Sequence, residues 1–134
     1  MLTYYDLKIG DKASLSKTIS ESDIYQFAGI TGDFNPLHVD AEYAKKSIFS
    51  ERIAHGILTA GFISSVLAMK LPGSDTIYLS QNLIFRAPVR IGDTVIAEVE
   101  IIEKRDEKKI IRLRTQVRNQ RDEIVIDGEA IVMK

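Results

Sequence analysis

The sequence predicts an α+β fold: a curved antiparallel sheet wrapped around one long central helix. Three observations point there. Helical patterns fill the first half and strand patterns the second, an order that argues against a doubly wound parallel sheet. Residues 57–69 are apolar or small at nearly every position, as expected of a helix enclosed by protein. Three segments of the second half then alternate apolar and polar residues with period two.

The elements follow in order. The first ten residues are expected to cross the surface. Lys12–Ile19 alternates weakly and suits an edge strand. Ser20 followed by Asp23 has the spacing of a capping box, and Ile19 and Ile24 stand at the positions of a hydrophobic staple. The helix they open is predicted to run to about Ile30, with Ile24, Phe27 and Ala28 on one face and Gly32 as its stop. Residues 33–38 read as a loop stiffened by Pro36. Asp40 caps a short helix from Ala41 to about Lys46, and Ser47–Arg52 is irregular. The long apolar helix begins at His55 and ends at Pro72-Gly73. Strands are predicted at Thr76–Arg86, Thr94–Ile102, Ile110–Arg118 and about Glu123–Met133. Their inner sets are Ile77/Leu79/Leu83/Phe85, then Val95/Ala97/Val99/Ile101, then Ile111/Leu113/Thr115/Val117. Polar segments at 103–109 and 119–122 suit hairpins. Glu98 and Glu100 can meet Arg112, Arg114 and Arg118 across strands, or all five simply form a solvated face. One helix covers only one face of such a sheet. The exposed face or edge predicts a homodimer.

With 134 residues, 45% of them hydrophobic and 28% charged, residues 1–134 are expected to form a single domain. A net charge of −1 gives no electrostatic case for nucleic acid or an anionic membrane as partner. No cysteine is present, which excludes disulfides and thiolate metal sites and suits a reducing cytoplasm. Neither a secretory signal nor an apolar run of roughly 20 residues is found, so a cytoplasmic protein is expected. Two histidines and no cysteine argue against a protein-held transition metal, although carboxylates alone can hold magnesium.

Those two histidines, His38 and His55, flank the chemistry. Asp33 and His38 lie five positions apart around Pro36, where a bent loop can bring a carboxylate and an imidazole together on one water. Asn35 can orient that water through its amide. The same residues also suit a turn, with Asp33 and Asn35 as local caps and His38 merely satisfied. At His55-Gly56, the bare helix start can offer N–H groups and the positive dipole end to an oxyanion. Equally, Gly56 can serve only close packing, and His55 a cap or a core position. The small residues Thr59, Ala60, Gly61, Ser64 and Ser65 leave room for either an acyl chain or a closely packed sheet.

Tyr25-Gln-Phe-Ala-Gly-Ile-Thr-Gly-Asp33-Phe-Asn35-Pro36-Leu37-His38, followed by Ala44, resembles the motif of the R-specific enoyl-CoA hydratases, the hydratase 2 group of the MaoC-like dehydratases. His55-Gly-Ile-Leu-Thr-Ala resembles the start of that family's central helix. Residues 71–73, 77–93 and 129–132 resemble its later segments, so the likeness covers nearly the whole chain. The resemblance implies a hot-dog fold and a homodimer with sites near the subunit interface. It implies reversible hydration of trans-2-enoyl-CoA to (R)-3-hydroxyacyl-CoA, without metal or redox cofactor. Asp33 and His38 would hold the water, Asn35 would help place it, and the Gly56 N–H would bind the thioester oxygen. It also suggests Ser64, Leu67 and Val132 as walls of the acyl pocket. Arg86 and Arg90 are candidates for a CoA phosphate, or else solvated surface arginines. Two alternatives use the same fold: an acyl-CoA thioesterase, and a non-catalytic acyl-CoA-binding module.

Overall fold

A computed structural model describes all 134 residues, Met1–Lys134. β1 (Lys12–Thr18) is followed by three helices, α1 (Glu21–Thr31), α2 (Pro36–Val39) and α3 (Ala41–Lys45), and then by the long α4 (Gly56–Met69). β2 (Ile77–Gln81), β3 (Ile84–Phe85), β4 (Thr94–Arg105), β5 (Ile110–Arg118) and β6 (Ile124–Met133) complete the chain. All strand pairs are antiparallel, in the order β1-β4-β5-β6-β2, with β3 also paired to β6. This is the hot-dog arrangement: α4 lies against β1, β4 and β5.

The long strands owe their position to period-two patterning. Val95, Ala97, Val99 and Ile101 of β4 and Ile111, Leu113, Thr115 and Val117 of β5 are all fully buried. They meet Ile63, Val66 and Leu67 on the inner side of α4, where Thr59 is also buried. On the outer side of the sheet Glu100 pairs with Arg114 at 2.5 Å, while Arg112 meets Glu103 and Glu129. Arg118 turns to Asp122 instead.

The capping box of α1 forms in both directions: Asp23 N–H donates to Ser20 Oγ at 3.1 Å, and Ser20 N–H to Asp23 Oδ2 at 2.8 Å. Gly32 closes the helix at φ 81°, a left-handed conformation that glycine adopts without a Cβ penalty.

Four expectations need correction. The first ten residues do not simply cross the surface. Tyr4 and Leu7 are each 2% exposed, and Lys104 Nζ donates to both of their carbonyls. Residues 36–39 form a helical turn, because Asn35 caps it and Pro36 takes a first-turn position where no N–H is needed. The predicted strand over 76–86 is two strands. The ladder shifts register between Tyr78 and Ser80 and breaks before Ile84, so Ile77, Leu79 and Phe85 are about half exposed. Finally, α4 is not enclosed by its own chain. Ile57, Gly61, Ser64, Ser65, Ala68 and Met69 form an uncovered stripe.

Candidate active site

The site grows from two short segments that meet. Gly32 ends α1 and turns the chain into residues 33–35. Asp33 N–H donates to Thr31 Oγ1, Asn35 N–H to Asp33 Oδ1, and Leu37 N–H to Asn35 Oδ1 at 3.1 Å. These are the turn roles open to such residues. They also leave an Asp33 carboxylate oxygen and the Asn35 amide N–H group uncommitted by these contacts, and both residues are exposed.

His38 sits on the turn of α2 and is buried. Its Nδ1 lies 2.7 Å from the Ile53 carbonyl oxygen. A carbonyl only accepts, so Nδ1 carries the proton and Nε2 of the neutral ring is a bare acceptor. Burial pushes the His38 imidazole below its ordinary value, and neighbouring His55 pushes the same way. The Ile53 hydrogen bond and the Asp33 carboxylate pull upward without prevailing.

His55 caps α4 from the other side. Its Nε2 lies 2.9 Å from the Asp33 carbonyl oxygen, and its ring centroid is 3.9 Å from that of His38. Asp33, His38 and His55 offer ligand atoms within 4.8 Å of one another. They are the donor types of a divalent-cation site, but His38 Nδ1 and His55 Nε2 are both committed to backbone carbonyls.

Gly56, the first residue of α4, has no intramolecular acceptor for its N–H. It borders a largely apolar cleft of about 480 Å³, whose other walls include Phe49, Ile53, Thr59, Phe85, Arg86 and Val89. The segment 53–56 joins this cleft to the Asp/His pair. Ile53 accepts from His38, His55 stacks on it, and Ile53, Ala54 and Gly56 line the cleft. Asp33, Asn35 and His38 flank the cleft without lining it.

Residues 8–122 match the family described as MaoC like domain. The chain belongs to the MaoC-like dehydratases. An (R)-specific enoyl-CoA hydratase of Rhodospirillum rubrum is 54% identical over 134 residues, 99% of this chain and 92% of that protein. A 3-hydroxybutyryl-CoA dehydratase of Methylorubrum extorquens is 48% identical over 98% of this chain and 83% of its own length. Among solved structures, the unliganded R-hydratase PhaJ1 of Pseudomonas aeruginosa superposes with a TM-score of 0.92 at 45% identity, covering 97% of this chain and 83% of that one. With these relatives, this MaoC-like chain is an enzyme of the hydratase/dehydratase kind. No helix in it is long and apolar enough to cross a membrane.

The other residues read from the sequence divide. Arg86 lines the cleft, with Asp127 at 3.5 Å. Arg90 is tied to Glu51 and to the Phe49 carbonyl. Leu67 and Val132 are inside the core, at 2% and 0% exposure, and Ser64 is on the uncovered stripe of α4; none of the three lines the cleft. Sequence reading gave no site role to Phe85, whose ring lies over Gly56, or to His55 as the partner of Asp33 and His38. The only signal for His55 was its being one of two histidines beside a helix start.

Proposed function

We propose that this chain catalyses the reversible syn hydration of trans-2-enoyl-CoA to (R)-3-hydroxyacyl-CoA. The observation that carries the reading is the bare Nε2 of a buried, neutral His38 beside the Asp33 carboxylate. These two groups hold one water between them. The water oxygen adds to C3 of the alkene as its proton passes to the Asp33/His38 pair. The C2=C3 π electrons move toward the thioester, whose oxygen gains enolate character against the Gly56 N–H at the helix terminus. C2 then takes a proton from the same pair on the same face, so one C–O bond and one C–H bond replace the π bond. Asn35 orients the water through its free amide N–H.

The acyl chain lies in the apolar cleft bordered by Gly56, Thr59 and Phe85, with the half-exposed Phe85 ring swung outward. Leu67 and Val132 are core residues outside that cleft, and a longer chain reaches them only by displacing buried side chains such as Ile63. The thiol half faces Arg86. A second copy of the chain covers the stripe of α4 and the edge of β2, giving a homodimer.

The deciding assay is crotonyl-CoA hydration with chiral analysis of the product. D33N and H38Q are each expected to lower kcat by about 10²–10⁴-fold, the usual contribution of a general acid or base, in a folded protein. Near-normal turnover by both variants would overturn the mechanism. Release of free thiol from saturated acyl-CoA would point to a thioesterase instead.

A further inference from the structure

We propose that His55 is a positioning residue for this reaction: it clamps the Asp33 segment to the first turn of α4 and holds the His38 ring in place. The inference rests on the hydration reading above and adds to it a residue with no role in the water chemistry itself.

Three contacts meet at one side chain. Nε2 donates to the Asp33 carbonyl oxygen at 2.9 Å. One neighbour of the ring is His38, 3.9 Å away and tilted by 32°, and another is Phe27, 4.7 Å away. The next peptide in the chain belongs to Gly56. The residue that carries the oxyanion donor is thus bonded covalently to the one that fixes the carboxylate loop. A shift of His55 moves both halves of the site together.

Packing alone does not account for an imidazole here. His55 is 2% exposed, yet its Nδ1 has no hydrogen-bond partner. A leucine or phenylalanine would fill a buried position without an orphan nitrogen, and buried orphans cost stability. The other buried side-chain atom without a partner is Thr59 Oγ1, one turn along the same helix. Thr59 lines the cleft, and His55 lies against His38. What an apolar side chain cannot supply is the N–H for Asp33.

The ring also bears on charge. The titratable groups acting on His38 are His55, which disfavours its charge, and Asp33, which favours it. Removing the His55 imidazole therefore lets His38 protonate more readily.

Two amide variants separate positioning from filling. Gln places its side-chain N–H near the position of Nε2; Asn reaches only as far as Nδ1. H55N is expected to lose about 10- to 100-fold in kcat for crotonyl-CoA, the scale of a small misplacement, with KM changed little. H55Q is expected to recover most of that loss. In H55Q the acid limb of the kcat profile is expected to move to higher pH. D33N is run beside them as the control for the chemistry. Wild-type kcat and an unmoved acid limb in H55N, with D33N inactive, would overturn the His55 assignment alone. Equal losses in H55N and H55Q that track a fall in thermal stability would also overturn it, in favour of a structural role. If D33N and H38Q both kept the wild-type rate, the hydration reading and this assignment would fall together.

Discussion

A Cβ placed on Gly56 would stand 2.7 Å from Cε1 of Phe85. That distance is too short for two carbons, so any side chain at 56 must push the Phe85 ring aside. The ring is about half exposed and has room to swing outward. Two causes of lost activity at this position can therefore be separated. G56A keeps the backbone N–H but sets a methyl group beside it, and is expected to lower kcat by up to about 10²-fold, the scale of one blocked oxyanion donor. If access to the N–H is what matters, the double variant G56A/F85A stays impaired, which is the outcome we expect. Full recovery in the double variant would reduce Gly56 to a packing residue.

His38 gives a prediction in pH. Its pKa is held below 6.5 by burial first and by His55 second, and the reaction needs its neutral form. The acid limb of kcat/KM is therefore expected to have its midpoint below pH 6.5. Stability follows the same sign. Below pH 6.5 the unfolded chain binds the His38 proton more readily than the folded one, so stability falls on acidification through that range. H38Q removes this contribution. Its unfolding free energy should vary less with pH there than that of the wild type. An acid midpoint at or above 6.5 would contradict a buried neutral base.

The sheet was legible in the sequence wherever one face is buried and the other wet. The inner positions of β4 and β5 read directly from alternation, and α1 from its capping box. Legibility failed where tertiary contact overrides pattern. Ile77, Leu79 and Phe85 looked like an inner set, but a register shift after Tyr78 and the break at Asn82 leave them half exposed. Tyr4 and Leu7 carry no periodicity, and only Lys104, about a hundred residues away, reveals their anchoring. Within the site, Asp33, Asn35 and His38 stood out because chemistry-bearing types crowd a short loop. His55 did not, because its partner in the loop is 22 residues distant and meets it only in the fold. Phe85 read as an inner sheet position, and its place over Gly56 follows only from the break that sets the two-residue β3 apart.

Arg86 tests the substrate's other end. Its side chain is 48% exposed at the cleft, and Asp127 competes for it at 3.5 Å. An exposed contact of this kind is worth about 0–1 kcal/mol, up to about a fivefold change in affinity. R86Q should thus raise KM for crotonyl-CoA by a few-fold and leave kcat unchanged. Crotonyl-pantetheine, which lacks the phosphates, should show the same KM with both proteins. D127N should lower KM for the CoA ester by freeing the arginine. An equal rise in KM for both thioesters in R86Q would remove the phosphate assignment.

The two edges of the sheet differ in a way that predicts the dimer. β1 carries Lys12 and Lys17 among serine and threonine, a composition that discourages strand pairing. β2 instead leaves Ile77, Tyr78 and Leu79 between 42% and 51% exposed. The stripe of α4 is a second uncovered surface, where Gly61, Ser64, Ser65 and Ala68 are small enough for another helix to approach closely. A two-fold axis there would pair β2 with β2 and α4 with α4, and would bury Ile57, which lines the cleft. The partner would thereby finish the cleft wall, so assembly and activity should fail together. In sedimentation the wild type is expected at twice the 15.0 kDa chain mass. I77K/L79K, charged on the β2 edge and distant in sequence from Asp33 and His38, is expected to sediment as a folded monomer with little turnover. A monomeric variant with full activity would mean that each chain completes its own cleft. A monomeric wild type would leave the apolar edge without the partner proposed for it.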